Sequence, residues 1–228
     1  MLHLTVNYPD DDIYWQTRHM EKLSNPDSWL NVAEDIGHTL NIIKTPLVAA
    51  WKSFLIDDEV FDAGIRIHGT YLMLSAYLLE NLFKGAIIKE KKWGNEKFEK
   101  GLPEEIKTHN LIDLARNIGV SLSDRSEDLL MRLSEYAIWA GRYPAPIKYG
   151  HLRPRNLDSG VTNTILYWRG TDIRVSEDIS VFLKSKIDPE KFVYPDREDA
   201  STTLEDWERL VIQTNIRPVD GNIRGTVK

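Results

Sequence analysis

Six histidines, a scatter of arginines and no cysteine bound the chemistry open to this chain. His109 stands two residues after Lys107, just ahead of an apolar helical pattern. An imidazole there could take a proton, or meet a phosphate beside the ammonium. The same position equally suits a side chain that bonds the backbone at a helix start and holds the loop before it. Arg142 and Tyr143 lie in Trp139-Ala-Gly-Arg-Tyr-Pro-Ala-Pro146, where a helix gives way to a proline-stiffened turn. A guanidinium and a phenol presented that way can grip a phosphate and stack on a base. The competing reading is a structural corner, with Tyr143 covering the core and Arg142 bonding helix-terminal carbonyls. Lys148, His151, Arg153 and Arg155 add positive charge just downstream. The candidate nucleic-acid contacts are therefore Lys107, Arg142, Tyr143, Lys148, Arg153 and Arg155, and the candidates for catalysis are His109, Arg142 and His151.

Other chemistries find no support in the spacing. The histidines at 38, 68, 109 and 151 form no HExxH and no pair one helical turn apart, so no metal site is expected. GxSxG, Walker A and GxGxxG are absent. The runs Asp10–Asp12 and Asp57–Glu59 lack the calcium-loop pattern and read as helix-start or solvated charges. Without cysteine there are no disulfides, thiolate ligands or sulfur nucleophiles. A net charge of −6 argues against a surface that grips nucleic acid all over, while leaving room for a local basic patch. No cofactor is implied. The start of the chain shows no charged segment followed by an apolar one, and no apolar run spans a membrane uninterrupted; a cytoplasmic protein with no membrane partner is the expectation.

The elements that must position these residues are helical. Tyr71, Leu74, Leu78, Leu79, Leu82, Phe83, Ala86 and Ile87 recur at three- and four-residue steps, so the spacing predicts a central helix burying more than a narrow stripe. Glu80 and Lys84 interrupt it one turn apart, as an internal ion pair or, in the other reading, as catalytic groups. Upstream, the acidic run at 10–12 starts a helix, and Asn25-Pro26 supplies a cap and a first-turn proline for the next, with Trp29, Leu30, Ala33, Ile36, Gly37 and Leu40 on one face. Thr45-Pro46 repeats that start signal and predicts a break or kink. Lys89–Lys92 and Gly94 end the central helix. Residues 93–107 read as a polar connection. Thr108 caps a short helix ended by Gly119, and Ser123 or Asp124 starts another, with Glu127 completing a capping box and Gly141 and Pro144 stopping it. Further on, 147–163 read as loop, 164–168 as a strand, and helices are expected after Ser176 and Thr203.

Three of these stretches resemble one family. Ala76-Tyr-Leu-Leu-Glu-Asn-Leu-Phe-Lys-Gly-Ala86 resembles the long helix of HEPN domains (higher eukaryote and prokaryote nucleotide-binding), whose apolar run is often broken by a glutamate and a lysine one turn apart. Lys107-Thr-His-Asn-Leu-Ile-Asp-Leu-Ala115 is similar to the family's Gly-His-Asp/Asn-Leu helix start, with Thr108 where glycine is usual. Ser134-Glu-Tyr-Ala-Ile-Trp-Ala-Gly-Arg-Tyr-Pro144 is similar to the end of the following helix in bacterial members. The resemblance covers residues 68–146.

It implies a mainly α fold: an antiparallel helical bundle, with additional N- and C-terminal helices and room for one short strand pair. Residues 1–228 form a single domain in this reading, with 68–146 the HEPN-like core and 147–228 an extension packed on it. It also implies a homodimer, with RNA, a nucleotide or a cognate antitoxin-like protein as partner. Nuclease members carry an arginine followed four to six residues later by histidine. Here Arg125 has no such histidine, Arg66 precedes His68 by two residues, and Arg142 precedes His151 by nine. The expectation is thus a divergent protein that binds nucleic acid or nucleotide in a bacterial defence or toxin–antitoxin setting. The alternatives are a divergent metal-independent endoribonuclease and a structural protein-interaction module.

Overall fold

The chain begins its helical course on a carboxylate cap. The Asp11 side chain accepts the Ile13 amide at 2.9 Å and launches α1, Asp12–Ser24. In the computed structural model, residues 11–54, 61–143, 155–156, 162–163 and 171–192 are described, with side chains over 11–48, 67–143 and 171–192. Asn25 then closes one helix and opens the next. Its amide reaches the Glu21 carbonyl at 3.1 Å, and its side chain accepts the Asp27 amide at 3.0 Å, with Pro26 the first residue of α2 (Pro26–Phe54).

The break expected at Thr45-Pro46 is absent: α2 runs through Pro46 as one helix. Proline removes the bond to the carbonyl four residues back, and that residue, Ile42, is 74% exposed, so water can take the freed acceptor. On the inner side Leu30, Ala33, Leu40 and Leu47 are buried.

The apolar period of the central segment becomes α3, Phe61–Lys91, with Leu72, Leu79, Leu82, Phe83 and Ile87 at most 1% exposed. It packs against α2 and most of the later elements. Its Ile67–Lys91 portion is long and apolar enough to cross a bilayer by composition alone, but 78% of its most apolar window is buried inside the protein. The helix ends with Lys92, not Gly94, in the left-handed conformation (φ 52°). The connection read as polar also contributes to the core. A 3-10 turn over Asn95–Phe98 buries Phe98 completely, and Ile106 is fully buried as well, both joining the hydrophobic core.

α4 (Leu111–Ile118) is capped by Asn110, whose side chain accepts the amides of Ile112 and Asp113 at 3.1 and 3.3 Å. Thr108, the expected cap, instead accepts the Asn110 amide at 3.0 Å. Gly119 ends the helix at φ 73°, a conformation glycine adopts without side-chain strain. α5 (Asp124–Glu135) starts at Ser123, which bonds the Ser126 amide, so Ser126 stands where Glu127 was expected to complete the cap. It continues into a π-helical turn, Tyr136–Ala140. A two-residue ladder follows, Arg155–Asn156 (β1) against Thr162–Asn163 (β2). The final helix, α6 (Asp172–Ile187), begins four residues before Ser176, which is buried inside it. The arm at 1–9, the strand at 164–168, the helix after Thr203 and the tail lie outside the described residues. The protein is mainly helical, as the spacing requires.

Candidate functional site

Three polar arrangements stand out against this core. The first is the pair that interrupts α3. Lys84 Nζ donates to Glu80 Oε1 at 2.7 Å, and both side chains are at least nine-tenths buried. Lys84 also lies 5.8 Å from the Trp29 ring of α2. Glu80 keeps its second oxygen for His109, whose Nδ1 is 2.8 Å from Oε2. The imidazole itself is 57% exposed. Both readings of His109 thus meet at one residue: it ties the loop ahead of α4 to α3, and it still presents a ring to solvent.

The second arrangement was not legible as a site. Arg132 of α5 is 1% exposed, and its guanidinium makes a two-pronged bond to Asp172 of α6, Nη1 to Oδ2 at 2.7 Å and Nη2 to Oδ1 at 2.8 Å. Nη2 and Nε also reach Asp128 Oδ2, at 3.0 and 3.3 Å. Two carboxylates share this guanidinium in the core, an arrangement tolerable because the charges are hydrogen-bonded to one another. His68 of α3 stands in the field of this cluster, its ring 6.3 Å from that of Tyr136. Burial lowers the His68 pKa to about 4; the Asp172 charge opposes that shift and Arg132 adds to it, so the imidazole is neutral at pH 7. Burial likewise pushes the Tyr71 phenol well above its usual range, reinforced by Glu177 and opposed by Ser75. The Asp128–Arg132 spacing of one helical turn was present in the sequence, but Asp172, forty residues on, gave no local sign.

The third arrangement is the corner at the end of α5. The π turn replaces the usual ladder, with the Gly141 amide reaching back to the Tyr136 carbonyl at 3.3 Å. Side chains serve two of the carbonyls in the turn. Arg142 Nη2 donates to Ala137 and Ile138 at 2.9 and 2.6 Å, and the Tyr77 hydroxyl donates to Ala137 at 3.1 Å. The structural reading of Arg142 therefore holds, whereas that of Tyr143 does not. Tyr143 is 54% exposed, with the Arg142 guanidinium 5.5 Å from its ring.

The remaining candidates do not gather at this corner in what is described. Lys107 pairs with Glu104 at 3.1 Å in the loop before α4. That loop meets α5 where the Leu111 amide bonds Ser134 Oγ. Eight residues separate Ser134 from Arg142, about 12 Å along a helix. Arg155 lies in β1, with its side chain outside the described set, and Lys148, His151 and Arg153 lie outside it altogether. Among the described residues no group of three His, Asp or Glu side chains is placed to hold a metal ion.

No family model, curated protein or solved structure matches this chain. What its surfaces do must be argued from their own chemistry.

Proposed function

We infer that this chain is a divergent HEPN-like helical protein that dimerises and binds RNA or a nucleotide at the Arg142–Tyr143 corner, in the cytoplasm of a cell using it for defence or as part of a toxin–antitoxin pair. The observation that carries this reading is the exposed Tyr143 ring beside a guanidinium held in place by two backbone carbonyls. A stacking surface and a fixed cation, both ordered before a ligand arrives, lose little freedom on binding a base and its phosphate. The order of contacts supports the bundle: Trp29 of α2 meets Lys84 of α3, and Gly37, further along α2, meets Leu78, earlier on α3. That order of contacts fits the antiparallel arrangement the family resemblance implies.

The experiment is fluorescence anisotropy of the full chain with a labelled single-stranded RNA and with a labelled nucleotide, over a salt series. Tyr143→Ala is expected to weaken binding by about 1–3 kcal/mol, while Tyr143→Phe keeps most of it. Arg142→Ala is expected to flatten the salt dependence as well. No retention of either ligand at moderate salt would overturn the reading in favour of a protein-interaction module. Sedimentation of the same preparation tests the dimer.

One observation favours the second reading, a metal-independent endoribonuclease: a neutral imidazole, His68, in the field of a buried arginine. Against it, that arginine is occupied by two carboxylates. RNA cleavage lost in His68→Gln and kept in Tyr143→Ala would install the enzyme reading instead.

A further inference from the structure

We propose that His109 is a phosphoryl-accepting histidine whose nucleophilic nitrogen is set by Glu80. A carboxylate can only accept hydrogen bonds, so the 2.8 Å contact between His109 Nδ1 and Glu80 Oε2 keeps a ring proton on Nδ1 and makes Nε2 the nitrogen that can act as a nucleophile. Glu80 cannot swing away, because Lys84 holds its other oxygen at 2.7 Å inside the core. The result is a buried, locked carboxylate behind an imidazole that is 57% exposed. Nε2 makes no hydrogen bond to any described residue.

The surroundings select the electrophile. Acyl transfer requires amide donors for a developing oxyanion, and the four amides that follow His109 are engaged: Asn110 by Thr108, Leu111 by Ser134, and Ile112 and Asp113 by Asn110. A phosphoryl group arrives already charged and needs a cation. Lys107, two residues before His109, offers one; its pairing with Glu104 is between side chains 62% and 85% exposed and exchanges readily. In the reaction, the Nε2 lone pair attacks phosphorus and the Nε2–P bond forms. The donor is a phosphorylated nitrogen, whose P–N bond breaks as the amine leaves with its own protons. The charge gained by the ring is offset as the Nδ1 proton moves toward Glu80. This site is separate from the Arg142–Tyr143 corner, and its fate does not depend on RNA binding.

The test treats the full chain with potassium phosphoramidate at neutral pH and maps the acid-labile label by mass spectrometry. The exposed His19 and His38 serve as internal references. His109 is expected to label at Nε2 about tenfold faster than either, the lower end of what a carboxylate behind the ring contributes to a metal-ligating histidine. His109→Gln should remove that label alone. In the double variant Glu80→Gln, Lys84→Met, which removes both buried charges together, the rate at that position should fall to that of the references. Equal labelling of all three histidines, or a His109 rate unmoved by the double variant, overturns the proposal. So does a histidine nitrogen correlation spectrum of the unmodified chain with the ring proton on Nε2, whether or not the variants fold.

Discussion

Arg132 and Asp172 meet through two hydrogen bonds of 2.7 and 2.8 Å, in a core where each side chain is at most 3% exposed. This contact joins α5 to α6 by charge as well as by packing. Removing Asp172 takes from the buried Arg132 guanidinium its two shortest hydrogen bonds and leaves it Asp128 as a partner, and that penalty exceeds whatever the pair contributes net. Asp172→Ala is therefore expected to cost about 3–5 kcal/mol in urea unfolding. Replacing all three charges with apolar residues (Arg132→Met, Asp128→Leu, Asp172→Leu) should be neutral or stabilising by about 1–4 kcal/mol. A single variant milder than the triple one would contradict this account.

The same cluster gives the protein an acid-sensitive side. His68 binds its proton less readily folded, at about 4, than unfolded, at 6.5. The unfolded chain thus takes up more protons, so stability from this residue is complete above pH 6.5. It is lost as pH falls from 6.5 and levels off below about 4, for a total of up to about 3 kcal/mol. Unfolding free energies from pH 7 to pH 4 should show a shallower decline in His68→Phe. An identical slope in both proteins would assign the acid sensitivity to carboxylates.

Gly141 is tied to α3 by proximity. A methyl group added there would lie 2.5 Å from the Cβ of Met73. Gly141→Ala should cost roughly 1–3 kcal/mol, since the helices would have to part. Met73→Ala should not rescue it, because the Cβ itself is the obstacle. Thermal melts of the single and double variants decide this.

Pro46 offers a gain. It removes one backbone bond from a continuous α2 at an exposed position, so Pro46→Ala restores that bond and should raise stability by up to about 3 kcal/mol. A loss would show that the ring shapes the packing of α2 on α3.

What the sequence could disclose tracks how far apart partners lie along it. Asn25-Pro26, Ser123 and Gly119 act on amides and carbonyls within a turn of themselves, so their roles were readable. The Glu80–Lys84 pair was readable too, because both ends sit on one face of one helix. Thr108 misled, since two residues able to cap stood close together and only the path of the loop selects Asn110. Phe98 and Ile106 were hidden in a stretch dense with charge, where a single apolar residue has no period to announce it. Arg132 was not singled out in the sequence, because its two-pronged counter-ion is supplied by a helix forty residues later. The Arg142–Tyr143 corner was expected as an alternative of cap or contact surface. The structure divides the two roles, giving the carbonyls to Arg142 and the exposed ring to Tyr143.

The long loop closed by Arg132 and Asp172 also has a bearing on biosynthesis. A ribosome adding roughly 5–20 residues per second needs some seconds to make the segment between them. For that interval the nascent chain carries a guanidinium that lacks its two-pronged partner on α6, so its burial among α2 to α5 is incomplete. Final closure of the interior is thereby timed to the emergence of α6, and a polypeptide released before Asp172 would be a natural client for chaperones and proteases.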